Sequence, residues 1–211
     1  MKKRAKILIG AGCVLLSASL ALAVNNQVET VQAAKSAQSV AQAFLSNKSV
    51  LEARVIEVSA NDDNSLHETG AETPAPAPAE PVVIDGQKYI GLLSIPTLGL
   101  NLPVNNDLTL AQLRKTPCRY YGEESADNLI IAAHNYNTHF GKIGALKPGD
   151  SVNLTDAGGV TQAYAVSEIL TLPGNAADEM KRPGDWDLTL FTCNYAGTER
   201  VTVRCIKGDR V

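Results

Sequence analysis

Near the C-terminus two segments, Leu188-Thr189-Leu190-Phe191-Thr192-Cys193 and Arg200-Val201-Thr202-Val203-Arg204-Cys205, alternate apolar and polar residues. Alternation of this kind is the signature of β-strands with one face buried. Along the second segment Arg200 and Arg204 share one face, while Val201 and Val203 share the other. The first segment ends in a small-residue step and a thiol, Thr192-Cys193. Two such strands, adjacent and antiparallel, bring an arginine guanidinium within reach of a thiol at a strand end.

The chain from Val82 onward has the same texture. Residues 89–95 are strand-like and stop at Pro96; residues 100–104 form a second short strand, and residues 108–113 have room for one helical turn. Residues 128–133, Asn-Leu-Ile-Ile-Ala-Ala, are a continuous apolar run, read as a strand buried on both faces that ends at His134. Lys147-Pro148-Gly149-Asp150 marks a turn, and residues 152–154 and 161–166 bracket Asp156-Ala157-Gly158-Gly159 as a hairpin. With residues 168–172 and the two segments above, about eight short strands result, which predicts a mainly β, closed eight-stranded barrel with short helices.

What precedes the barrel reads differently. Residues 7–24 form an uncharged, mostly apolar run behind Lys2, Lys3, Arg4 and Lys6. Residues 1–24 are therefore either a signal peptide or a retained signal anchor, and the length of the run favours the anchor. Ala21-Leu22-Ala23 and Val31-Gln32-Ala33 leave cleavage open. Both readings carry the rest of the chain out of the cytoplasm, as a single-pass protein of the cell membrane or, if cleaved, as a secreted one. In residues 25–66, Val28, Val31, Val40, Phe44 and Leu51 recur loosely at helical spacing, a stripe too thin to bury a core of its own. Residues 72–81, Glu-Thr-Pro-Ala-Pro-Ala-Pro-Ala-Glu-Pro, make a semi-rigid spacer, so residues 25–81 are expected to be stalk and linker. The net charge is −3 although the first residues are basic, so the remainder is acidic and nucleic acid is not an expected partner.

The chain has four cysteines and three histidines. Cys13 lies in the apolar run, which leaves Cys118, Cys193 and Cys205, so at least one thiol is unpaired within the monomer. Cys118 and Cys205 are either a disulfide or, the better default, two small buried apolar residues. Cys193 and His134 each follow a strand. A neutral thiol is a poor nucleophile and needs a neighbour to manage its proton. With ordinary pKa values of about 8.5 and 6.5, the thiolate–imidazolium form of such a pair is about one part in a hundred. That fraction attacks through Cys193 and donates a proton from His134 to a leaving amine. An arginine, always charged, would steady the oxyanion or hold the substrate. Arg200 and Arg204 both compete for that place, as His139 competes with His134, while His67 falls in the tether.

Together these residues resemble the sortases, cysteine transpeptidases of Gram-positive cell surfaces. The TLxTC signature is Thr189-Leu190-Phe191-Thr192-Cys193, and the family's arginine on the next strand matches Arg200. The histidine motif matches Asn128 through Asn135, with Phe140, Leu146-Lys147 and Gly149-Asp150 following, and Tyr89 through Pro96 with Leu102-Pro103-Val104 resembles the first strands. The resemblance implies a catalytic domain over residues 82–211 with His134, Cys193 and Arg200 catalytic, and Thr192, Ala133 and Asn135 at the substrate. It implies cleavage of an LPxTG-like sorting signal between Thr and Gly, and transfer of a secreted protein to an amine of a lipid-linked wall precursor or a pilin lysine. No cofactor is expected, and no acidic cluster suggests calcium. Another Cys/His/Arg wall enzyme, such as an L,D-transpeptidase or a cysteine peptidase, and a non-catalytic adhesion domain are the alternatives.

Overall fold

The structure, a computed structural model, describes residues 2–59 and 79–208, with residues 2–11 and 47–59 described by backbone alone. Most of the spacer at 72–81, and His67, lie outside the described residues. The long helix α1 (Lys2–Ser59) leads into nine strands: β1 (Val82–Ile84), β2 (Gln87–Ile95), β3 (Leu100–Asn105), β4 (Cys118–Tyr121), β5 (Leu129–Ala132), β6 (Ser151–Asp156), β7 (Thr161–Pro173), β8 (Leu188–Cys193) and β9 (Glu199–Lys207). Two short helices interrupt them, α2 (Leu110–Leu113) and α3 (Ala177–Lys181).

The sheet runs β1-β2-β3-β4-β5-β8-β9-β7-β6, and a further β2–β6 pairing joins its two sides. Strands β2 to β9 therefore form the closed eight-stranded barrel that the strand pattern predicts, with β1 appended through a hairpin. That hairpin turns at Asp85 and Gly86, with φ of 49° and 72°, the left-handed pair that a tight two-residue turn requires. Closure depends on Gly91. A Cβ there would stand 2.4 Å from the Thr155 carbonyl oxygen of β6, so no larger residue fits between the strands. The ladders are unequal. β7 and β9 pair from Tyr164↔Lys207 to Pro173↔Glu199, whereas β3 and β4 meet in parallel at one position, Asn105↔Cys118.

Inside the barrel Leu93, Ile95, Val104, Leu129, Ile131, Phe140, Ile143, Val152, Leu188, Leu190, Val203 and Cys205 are buried together. A smaller cluster lies on the outer face, where Ile130, Ala132, Leu172, Met180 and Phe191 meet beneath α3. β5 is thus buried on both faces, as its unbroken apolar run predicts. Arg204 is buried on that outer face too. It donates to the Met180 and Glu179 carbonyls at 3.1 and 3.2 Å and to Thr189 Oγ1 at 2.6 Å, under the Trp186 ring at 4.2 Å. A guanidinium therefore caps carbonyls in the last turn of α3.

The strand count agrees with expectation, but its members differ. Residues 161–166 and 168–172 are one strand with a register shift between Val166 and Glu168, and β4 takes the vacated place. The helical stripe ahead of the barrel does not bury a core alone; it lies against the barrel. Ala33, Ala37, Val40, Ala41 and Phe44, spaced along one helical face, are buried, and Val40, Ala41 and Phe44 pack on Ile84, Tyr89 and Leu92. Val28 and Val31 of the expected stripe stay exposed. Among the described residues no helix is long and apolar enough to cross a membrane. The side chains of residues 7–11, the start of the apolar run, are not among those described, so the anchor rests on the sequence. All four cysteines are free, with Cys118 and Cys205 buried separately and pushed up to about 12 by burial.

Candidate active site

Three neighbouring strands deliver the candidate residues to one rim. β5 and β8 run parallel, in register from Leu129↔Leu188 to Ala132↔Phe191. The pairing continues past the end of β5: the Ala133 amide donates to the Phe191 carbonyl at 3.1 Å, and the Thr192 hydroxyl donates to the Ala133 carbonyl at 2.8 Å. His134 and Cys193 are the next residue on each chain, so both leave the same end of the paired strands. On the other side β9 runs antiparallel to β8, and Cys193 pairs directly with Arg200. Directly opposed residues point to the same face of a sheet, so thiol and arginine share the outer face with Phe191.

Cys193, His134 and Arg200 are each half-buried. The turn after the thiol is closed by Asn194, whose side-chain oxygen accepts from the Thr198 and Glu199 amides at 3.0 and 3.3 Å. Arg200 folds back onto this turn, donating to the Gly197 and Glu199 carbonyls, both at 3.0 Å. It stands beside the thiol at the level of the backbone, with its guanidinium held by the turn. Arg204, the competing arginine, is 2 % exposed and bound to α3, out of reach of any peptide. His139, the competing histidine, is fully buried. Burial first, and the charge of His134 second, lower its pKa to about 4, with the Lys115 main chain pushing the other way.

His134 is lowered from its ordinary value, first by burial and then by the Arg114 charge, while Glu29 of α1 opposes them. Its imidazole is therefore neutral in neutral solution. Its ring stacks on Tyr136, centroids 4.9 Å apart at 26°. Neither Tyr136 nor Glu29 carries a local sequence signal, because the contact between them spans 107 residues of chain. The substrate-side expectations divide. Thr192 is buried and its hydroxyl is bound to Ala133, so its side chain ties the two strand ends together and is not presented at the rim. Ala133 is buried in the barrel core, and Asn135 is half-buried beside His134. Among the described residues no three His, Cys, Asp or Glu side chains gather as a metal site would require.

A family model described as a sortase domain matches residues 93–207, more than half of the chain. Among solved structures, the chain is similar to Clostridium perfringens sortase C with the C-terminal cell wall sorting motif, at 27 % identity over 62 % of this chain and 79 % of that one, TM-score 0.51. It is also similar to sortase A from Corynebacterium diphtheriae, at 25 % identity over 57 % of this chain and 61 % of that one, TM-score 0.51. A Clostridium perfringens sortase D5 transpeptidase shares the fold at 23 % identity over 56 % of this chain and 78 % of that one, TM-score 0.50. No curated protein sequence matches. On the family match and on a barrel shared with structures of three sortase types, the chain belongs to the sortase family of cysteine transpeptidases.

Proposed function

We propose that this chain cleaves an LPxTG-like sorting signal between Thr and Gly and passes the acyl group to an amine, with Cys193 as nucleophile, His134 as acid and base, and Arg200 on the oxyanion. The single observation that supports this reading is the strand register, which runs β5 and β8 out towards His134 and Cys193 at one end of the barrel and sets Arg200 opposite the thiol. The Cys193 thiolate adds to the threonine carbonyl carbon. The tetrahedral oxyanion collapses, the C–N bond to glycine breaks, and protonated His134 gives its proton to the departing amine. The resulting thioester is then attacked by an acceptor amine, whose proton returns to His134 as the thiolate leaves. The acceptor is a lipid-linked wall precursor or a pilin lysine.

Arg200 reaches the developing charge by a side-chain rotation away from the Gly197 and Glu199 carbonyls, without movement of β9. Residues 172–186 flank the thiol: Leu172 pairs with Arg200, and Met180 packs with Phe191. A bound peptide lies along this wall. The apolar run at 7–24 holds the domain at the outer surface of the membrane, where secreted proteins emerge. Incubation with an LPxTG peptide and triglycine should yield the ligated amide and, in mass spectra, a thioacyl adduct on Cys193. Cys193→Ala should form neither and keep its fold; ligated product from that variant would falsify the nucleophile.

A further inference from the structure

The His134 imidazole lies against the ring of Tyr136, two residues on. Tyr136 lies between two imidazoles, stacked on His134 and tilted at 50° against buried His139, centroids 5.6 Å apart. Its main chain is held by its own loop, since the His139 and Gly141 amides both donate to the Tyr136 carbonyl at 2.9 Å, and the Phe140 amide donates to His134 at 3.2 Å. The loop has no slack at Gly141, where a Cβ would stand 2.4 Å from the Asn135 carbonyl oxygen. The outer end of Tyr136 is held by a different element. Its hydroxyl donates to Glu29 Oε2 of α1 at 3.3 Å, and the Thr138 hydroxyl donates to the Thr30 carbonyl at 3.5 Å. α1 is seated just beyond that point by Ala33, Ala37, Val40, Ala41 and Phe44.

We propose that Tyr136 is the positioning residue of His134 and that Glu29 clamps it, so that seating of the N-terminal helix sets how well the imidazole is aimed. The proposal rests on His134 being the acid and base of the reaction. A stacked ring restricts rotation of the imidazole about its Cβ–Cγ bond, and a phenol tied to a helix cannot drift without moving the helix. Charge travels the same route. The groups that act on His134 are Glu29 from α1, Arg114 after α2, and Tyr136 and His139 from its own loop. Of these, the Glu29 carboxylate supports the protonated imidazole and Arg114 opposes it.

The test uses the full chain and the peptide ligation reaction, with kcat, KM and the pH profile of kcat/KM read for each variant. Tyr136→Ala should lower kcat about 10- to 100-fold with KM little changed, the loss expected when a reacting group is misaimed. Tyr136→Phe keeps the ring and should lose only about two- to fivefold, as for one exposed hydrogen bond. Glu29→Ala should match it and add nothing in the double variant, and Glu29→Ala should also move the imidazole limb of the pH profile downward. If Tyr136→Ala loses its thermal transition, Tyr136→Phe and Glu29→Ala decide the matter alone. Additive losses, or a Glu29→Ala profile that overlays the parent, overturn the clamp. An inactive His134→Ala beside a fully active Tyr136→Ala overturns the positioning role alone, whereas an active His134→Ala removes the reading beneath it.

Discussion

The rim of the barrel and the layer just beneath it hold the same residue types in opposite states. At the rim, His134 and Arg200 are half-buried beside a half-buried thiol, and Arg200 is bonded to carbonyls of a surface turn. Below, Arg204 and His139 are buried: one is bound to α3 and Thr189, the other is enclosed with its pKa near 4. The two arginines lie four residues apart on the same face of β9, so strand periodicity cannot separate them. Their surroundings do. A cation released by breaking hydrogen bonds to a solvated turn is available to a substrate, and one that satisfies the carbonyls of a buried helix end is committed to the fold.

The widest gap is expected between the arginines. Arg200→Ala should lower kcat/KM by about two to four orders of magnitude, in the range of a lost oxyanion donor, with a thermal midpoint close to the parent's. Arg204→Ala should do the converse, destabilising the fold by about 3 kcal/mol in urea titrations as the α3 carbonyls lose their donor. If Arg204→Ala lost more activity than Arg200→Ala while remaining folded, the assignment of the two would be reversed.

The histidines sharpen the same contrast through pH. His139 binds its proton at about 4 when folded against an ordinary 6.5. As pH falls below about 6.5 the unfolded chain takes up a proton that the folded one refuses. The folded state should therefore lose about 3 kcal/mol between pH 6.5 and 4 and nothing more from this group below that. His134, lowered first by burial as well, acts in the same direction. Unfolding curves at several pH values should be flatter with acid for His139→Phe than for the parent; an unchanged slope would clear His139 of the effect. The smallest change is expected at the boundary between the layers. Thr192→Val removes the hydroxyl bound to Ala133 and should weaken the fold by about 1 kcal/mol, with activity falling only a few-fold. Chemical denaturation beside a ligation assay separates the two, and a Thr192→Val variant as dead as Cys193→Ala would give Thr192 a direct part in the chemistry.

What could be read in advance follows from the range of the forces involved. β5 is legible from its unbroken apolar run and β8 and β9 from their alternation, and the candidates Cys193, His134 and Arg200 are picked out by standing at or just past the ends of those strands. β4 is not, since Cys118-Arg119-Tyr120-Tyr121 shows neither alternation nor an apolar run and is held by its pairing with β3 and β5. Residues 161–173 read as two strands because Ser167 falls in a bulge, where alternation breaks without the strand ending. The docked face of α1 shows in the sequence only as Val40 and Phe44, because alanines form the rest of it, and their small size is what lets a helix lie close to a sheet. Tyr136 and Glu29 are joined across more than a hundred residues, a distance at which no local pattern exists.

A ring opens at its weakest link, and in this barrel that link is the single β3–β4 position at Asn105 and Cys118. At that position the Asn105 amide donates to the Pro117 carbonyl at 2.8 Å and, just past it, Arg119 donates to the Asn106 side chain at 2.7 Å, where neighbouring strands share whole ladders. Transient breathing of the barrel should begin there, on the side of β5 away from β8, and amide exchange at Asn105 should outpace that of Val203 or Leu190. The β8–β9 wall carrying the thiol can thus stay rigid while the seam beyond β4 absorbs thermal motion.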